Sequence, residues 1–310
     1  MRTVVVTDST ASLPADLARE YGVEVIPLHV VVGRVTKAEG LDISGAEVAD
    51  LLRSGDHSVT TSGPAPGELV QFYRDVAVRR GATHIVSVHL SARISRTVES
   101  AQLAAAAVAD EVTVTVVDSR TLGLAMGYAV CAGADLAAGG LEPAGVAAAI
   151  EAHCRACSAY FYVDTLEYLR RGGRIGKASA LVGSALGIKP LLTVAEGEVQ
   201  PWERVRTRSR AMARLHAQTL DHIASLSASG SSVRVGIHHC NCADRAAAFA
   251  AGIEEARAQM STDERVVGAD AEGQVAAEPK PIVVDVVELG AVTSVHTGPG
   301  TVAVVISPGI

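Results

Sequence analysis

The chain opens on an unbroken run of β-branched residues, Thr3-Val4-Val5-Val6-Thr7, which Asp8 brings to an end. A run without polar alternation predicts a strand buried on both faces. A helix is predicted from about Pro14 to Gly22, and residues 23–32 read as the next strand. Helical patterns follow over 44–52 and 66–79, a strand over 84–90, an Ala-rich helix over 97–109 and a strand over 112–117. Two further helices are predicted over 122–138 and 143–156. Strands that alternate with helices and read as continuous Val/Ile runs predict a mainly parallel sheet covered on both faces. Residues 1–157 are therefore expected to form a three-layer α/β/α domain.

Beyond residue 157 the pattern changes. A strand over 158–163 leads into a short helix holding Leu166 and Leu169, then Arg170-Arg171-Gly172-Gly173-Arg174, a loop signal. A helix over 177–186 precedes a hairpin, with strands over 191–194 and 199–206 about Glu196-Gly197. Helices over 207–226 and 243–259 flank a strand at 233–238, and strands over 282–287 and 302–306 close the chain. The hairpin makes this second sheet partly antiparallel, so residues 158–310 are expected to form an α+β domain with a mixed sheet. Residues 261–280, polar and rich in Gly and Ala, read as an exposed loop. No internal repeat is present.

Composition narrows the function classes. A length of 310 residues suits two ordinary domains, and 48% hydrophobic with 20% charged residues excludes disorder and coiled coil. A net charge of −7 without any basic run argues against polyanion binding. One Trp, six Tyr and three Phe are too few for the stacking platform of a single-strand nucleic acid binder. The polar Asp8 follows the first strand where a secretory signal would stay apolar, so a cytoplasmic location is expected. The longest apolar stretch, from Leu122 to Ala134, falls short of the roughly 18 residues of a spanning helix, and no membrane insertion is expected. Five cysteines, an odd number, fit reduced thiols.

Ligands of open parallel sheets sit at the carboxyl ends of strands. Three such places are expected to carry small polar residues: Asp8-Ser9-Thr10, Thr60-Thr61-Ser62-Gly63-Pro64 and the loop from Ser91 to Thr97. Hydroxyls beside free N–H groups at a helix start suit a carboxylate or phosphate, and the same residues are also the preferred helix caps. His296-Thr297-Gly298-Pro299-Gly300 reads as a tight turn that either fixes His296 beside a ligand or holds it incidentally. Arg204 and Arg206 could clamp an oxyanion or serve as solvated surface charge. A zinc site from His153, Cys154, Cys157, His238, His239, Cys240 and Cys242 lacks two compact ligand pairs, so packing is the favoured reading of these residues. The common nucleophile-elbow, phosphate-loop, dinucleotide and metalloprotease motifs are missing, which favours a binder over a self-sufficient enzyme.

Thr7-Asp8-Ser9, Thr61-Ser62-Gly63-Pro64-Ala65-Pro66, the stretch from Ser91 to Ala101 and Val117-Asp118-Ser119-Arg120 resemble, in order, motifs of the DegV family. So do Val163-Asp164-Thr165-Leu166-Glu167-Tyr168-Leu169, Gly172-Gly173-Arg174-Ile175, Ile188-Lys189-Pro190, Val205-Arg206-Thr207 and His296-Thr297-Gly298-Pro299-Gly300. The resemblance implies a two-domain carrier that encloses one long-chain fatty acid in a tunnel between its domains, with no cofactor or metal. A separate fatty acid kinase would phosphorylate the bound acid to an acyl phosphate. By the same resemblance Thr61, Ser62 and Ser95 would hold the carboxylate, with Arg206 and His296 near the head group. Two positions depart from the family pattern: Gly63 stands where Gln is usual, and Arg96 where Gly usually follows the ligand serine. Arg96 would either add a cation at the head group or turn outward. The competing reading is a small-molecule hydrolase or transferase with Ser95 as nucleophile and His296 as base.

Overall fold

The computed structural model describes residues 2–181, 188–267 and 281–310, with backbone alone over 259–267. In chain order the first strands are β1 (Thr3–Asp8), β2 (Glu24–Ile26), β3 (His29–Val32), β4 (Val35–Ala38), β5 (Val59–Ser62), β6 (His84–His89) and β7 (Thr113–Asp118). The helices among and after them are α1 (Ala15–Glu20), α2 (Gly45–Ser54), α3 (Pro66–Arg80), α4 (Thr97–Ala107), α5 (Leu124–Ala138) and α6 (Pro143–Ala156). The remaining strands are β8 (Ser158–Tyr162), β9 (Lys189–Ala195), β10 (Glu198–Val205), β11 (Val233–His239), β12 (Ile282–Glu288) and β13 (Val302–Pro308). Interleaved with these are α7 (Glu167–Arg171), α8 (Arg208–Ala228), α9 (Ala243–Val267) and α10 (Ala291–Thr297).

The expected α/β class holds: a parallel sheet in the order β2-β1-β6-β7 precedes a mixed sheet in the order β10-β9-β8-β13-β11-β12. Alternate side chains divide the parallel sheet between two cores. Val4 and Val6 pack with Leu69, Tyr73 and Ala104 of α3 and α4, whereas Val5 and Val88 pack with Met126, Val130 and Ile150 of α5 and α6. The mixed sheet divides likewise. Val304 and Ile306 join Leu215, Ile223 and Phe249 beneath α8 and α9, while Val305 turns to Leu124 and Tyr128 of α5. Helix α5, apolar on nearly every side, therefore lies between the two sheets. None of the described helices is long and apolar enough to cross a membrane.

Several expectations are corrected. The stretch 23–32, expected as one strand, is two strands in different sheets, because Pro27 lacks the N–H a continuing strand needs and the chain turns there. A third, antiparallel sheet, β4-β3-β5, results, and Thr61 and Ser62 belong to it and not to the parallel sheet. His296 is in the last turn of α10, a helix absent from the sequence reading, and not in a free turn. The helix expected over 177–186 is a 3₁₀ segment, Gly176–Leu181, and its remaining residues lie outside those described. Helix α9 continues to Val267 through a stretch free of Gly and Pro; of the loop expected over 261–280, residues 268–280 lie outside the described set.

Candidate ligand-binding site

A cavity lies between the carboxyl ends of the parallel strands and the inner face of the mixed sheet, where sheets of this kind place their ligands. It offers about 120 Å³ of room for the centres of water-sized molecules. A single water needs roughly a tenth of that, so the space admits a molecule much larger than a water. Its walls are mostly aliphatic or aromatic. Leu90, Ile94 and Leu122 come from the loops after β6 and β7, Phe161 and Val194 from β8 and β9, and Ala303 and Val305 from β13.

Polar groups gather at one end. Thr61 reaches it from β5, Ser95 from the loop before α4, and His296 from α10, with Ser62 and Gly63 beside them. Thr61 Oγ1 and His296 Nε2 are 2.8 Å apart. Ser95 Oγ lies 2.8 Å from Thr97 Oγ1 and accepts the Thr97 backbone N–H at 3.3 Å. That N–H belongs to the first turn of α4, whose dipole favours an anion. A Cβ at position 63 would lie 2.8 Å from Thr97 Oγ1, so with glycine there this hydroxyl keeps its place beside Ser95.

The cation at this end is Arg174, from the loop after α7. Its Nε–H donates to Ile94 O at 3.1 Å and its Nη1–H to Gly172 O at 2.6 Å, which aims the guanidinium along the cavity wall. A Cβ on Gly172 would fall 2.1 Å from His296 Nδ1, so only glycine admits the ring. Burial, with the Arg174 charge adding to it, pushes the His296 pKa down to about 4. The ring is therefore neutral near pH 7. With its proton on Nε2 it donates to Thr61 Oγ1, which frees the Thr61 hydroxyl proton for an acceptor in the cavity. If Thr97 likewise donates to Ser95, the two free hydroxyls and Arg174 together can hold a carboxylate. No carboxylate side chain lines the cavity among the described residues, so nothing there repels one.

Other sequence candidates lie elsewhere. Arg206 is exposed outside the cavity lining, two residues before Arg208, which pairs with Asp164 at 3.0 Å. Arg96 turns outward to Glu99 at 2.8 Å. Asp8 is fully buried and accepts from Thr10 N–H, Leu90 N–H and His89 Nδ1–H, so it anchors the loop after β6 without lining the cavity. Asp118 accepts the Ala92 N–H at 3.1 Å and shapes the Ser95 loop. Ser95 and His296 bond to Thr97 and Thr61 respectively, so the contact between nucleophile and base that a hydrolase needs is not formed. Cys154 and Cys240 pack in separate cores and burial raises their pKa values, as expected of inert packing thiols. Sequence reasoning named Arg174 within a loop signal and a family motif without giving it a ligand role, and weighed His238, which lines the cavity, only as a metal ligand.

A second cavity histidine, His238, is also held down to about 4, by burial and then by the neighbouring His239. Below the ordinary histidine value of 6.5 the unfolded chain takes up these two protons, and the folded chain does not until about pH 4. Stability present above pH 6.5 is thus lost as pH falls toward 4, by about 3 kcal/mol per histidine at 1.36 kcal/mol per pKa unit. Buried Glu39, raised by desolvation, acts with the opposite sign over its own window above its ordinary value. We expect the difference in Tm between pH 7 and pH 4.5 to shrink in His296→Gln; thermal melts with the same difference in both proteins would contradict this.

The fold and site define an α/β protein with an internal apolar cavity that is polar and cationic at one end. A profile of the DegV family, described as an uncharacterised protein family, matches residues 2–271. The chain is 43% identical over 305 residues to a DegV domain-containing protein of Streptomyces coelicolor, covering 98% of this chain and 97% of that one. Among solved structures, a Thermus thermophilus DegV family protein described by its fatty acid binding superposes with a TM-score of 0.80 at 32% identity, covering 99% of this chain and 100% of that one. Bacillus subtilis DegV, a fatty acid binding protein, gives 0.83 at 30% identity, with 99% of each chain covered. The chain belongs to the DegV family.

Proposed function

We propose that this protein binds one long-chain fatty acid in the cavity and presents its carboxylate to a separate fatty acid kinase, which phosphorylates it to an acyl phosphate. One observation carries the reading: hydroxyls, a helix start and one arginine at a single end of an otherwise largely apolar cavity free of acidic lining. The fatty acid binding of the Thermus and Bacillus relatives supports it. In this reading residues 1–157 and 158–310 act as two domains closed on the ligand. Thr61, Ser62, Ser95 and His296 surround the head group and Arg174 supplies the charge. Arg206, exposed, serves the encounter with the kinase. The chain supplies no catalytic group of its own and works in the cytoplasm.

The phosphoryl transfer itself is simple to balance. A carboxylate oxygen attacks the γ-phosphorus of ATP held by the kinase, the bond to the β-phosphate oxygen breaks, and ADP leaves. His296, neutral and bonded to Thr61, keeps the hydroxyl oriented while the carboxylate gains a phosphate. We expect His296→Ala to weaken fatty acid binding less than tenfold, because most affinity comes from the acyl chain at about 0.8 kcal/mol per methylene. The same variant should lose most acyl phosphate formation with kinase, ATP and Mg²⁺. Without kinase, wild type should consume no ATP and hydrolyse no ester; turnover by the isolated chain that vanishes in Ser95→Ala would favour the hydrolase reading.

A further inference from the structure

His296 stands where α10 puts it, and α10 is held at its start by a side chain distant in sequence. Glu39, the residue after β4, is 6% exposed. Its Oε1 accepts the Val292 N–H at 2.8 Å, and the Ser9 hydroxyl donates to its Oε2. Ser9 Oγ in turn accepts the Leu28 N–H at 2.9 Å, and the Glu39 N–H donates to Leu28 O at 2.8 Å. The carboxylate is thus fixed to the backbone beside β1 and β3 on one side and to α10 on the other.

The first N–H groups of a helix have no partner within it, and α10 has no side-chain cap of its own. Gly290 precedes it, and a Cβ there would collide with Glu39 Oε1, so glycine leaves the space that the carboxylate fills. Seven residues are too few for a helix to hold itself, and its placement depends on what it touches. Val292 and His296 are one turn apart on the same face, so a shift at the capped end carries the ring with it. At that ring the 2.8 Å contact with Thr61 sets which way the Thr61 hydroxyl points. No cation pairs with Glu39 among the described residues, and desolvation raises its pKa, so holding a carboxylate here costs stability.

We propose that Glu39 is a positioning residue for the head-group site: by capping α10 it sets the His296 ring against Thr61 and so aims the Thr61 hydroxyl at the bound carboxylate. This rests on the fatty acid reading above and adds to it a residue that touches neither the ligand nor the cavity.

The test compares wild type, Glu39→Ala and Glu39→Gln by NMR titration of the His296 ring, its signals assigned with His296→Ala, and by binding of palmitic acid. In wild type, burial and Arg174 keep the ring neutral down to about pH 4. Loss of the Glu39 charge alone would lower the midpoint further, whereas release of α10 lets water reach the ring and raises it. We expect Glu39→Ala to raise the midpoint by about one pH unit or more. Glu39→Gln, whose amide oxygen can still accept the Val292 N–H, should leave it near the wild-type value. Glu39→Ala should weaken palmitic acid binding by less than about tenfold, as His296→Ala does, and should add nothing to the loss in His296→Ala. Should Glu39→Ala fail to fold, Glu39→Asp, one methylene too short to reach Val292, replaces it with the same expected rise. A midpoint that stays or falls, or losses that add in the double variant, would overturn the proposal and leave the fatty acid reading intact. Wild type that binds no palmitic acid would remove that reading, and the NMR midpoints would still decide whether Glu39 places His296.

Discussion

Ala303→Trp should abolish fatty acid binding while the protein stays folded. Ala303 is on β13, opposite Phe161 of β8 in the register, and its methyl group forms part of the cavity wall. An indole there would occupy the path of the acyl chain. Displacing about six methylenes at about 0.8 kcal/mol each removes about 5 kcal/mol, more than a thousandfold in affinity. Overpacking costs about 1–3 kcal/mol, which a chain of this size can absorb. Displacement of a fluorescent fatty acid, read beside a thermal melt, measures both quantities. Undiminished binding in a folded variant would place the acyl chain elsewhere.

The paired change Thr61→Val with Ser95→Ala is expected to cost more than either single change but less than about 3–6 kcal/mol of ligand affinity, the sum of two hydrogen bonds to a charged group at about 1.5–3 kcal/mol each. Val keeps the shape of Thr61 and leaves His296 Nε2 without its 2.8 Å partner, and Ala leaves the start of α4 in place. The two sites share one carboxylate, so the double change should fall short of the sum of the single ones. Titration of the three variants with a long-chain fatty acid checks this. Affinities within threefold of wild type would move the carboxylate away from these hydroxyls.

Much of the fold was legible because buried parallel strands have an unmistakable pattern. Thr3–Asp8, His84–His89 and Thr113–Asp118 are runs of Val and Ile between helices, and the parallel sheet follows from them. What was missed lay where local pattern and tertiary context part. The run 23–32 is mostly apolar on both sides of Pro27, and only the turn at Pro27 and pairing with β4 and β5 divide it between two sheets. Helix α10, Ala291–Thr297, contains four β-branched residues and no helical stripe, since its first five residues are all buried. The carboxylate of Glu39 accepts the Val292 N–H at 2.8 Å, a cap from 253 residues away that no local signal announces.

The site was legible in part for the same reason. Ser95 and Thr61 stand in motifs, but the contact of Thr61 with His296 spans 235 residues and depends on α10. Arg174 also stands in a motif, but that motif reads as a loop, and only its two carbonyl partners turn the side chain to the cavity. Arg206 has the right composition in the right motif, yet its strand ends with the side chain in solvent. His238, one of a His-His-Cys run, suggested metal in sequence; its place between α5 and the mixed sheet makes it part of the cavity wall.

The central claim is that this cavity holds a fatty acid, and native mass spectrometry of the protein freshly purified from a bacterial host tests it most directly. The account predicts one long-chain fatty acid per chain, released on denaturation and identified in the extract. A bare chain that also fails to take up added long-chain fatty acid would contradict it.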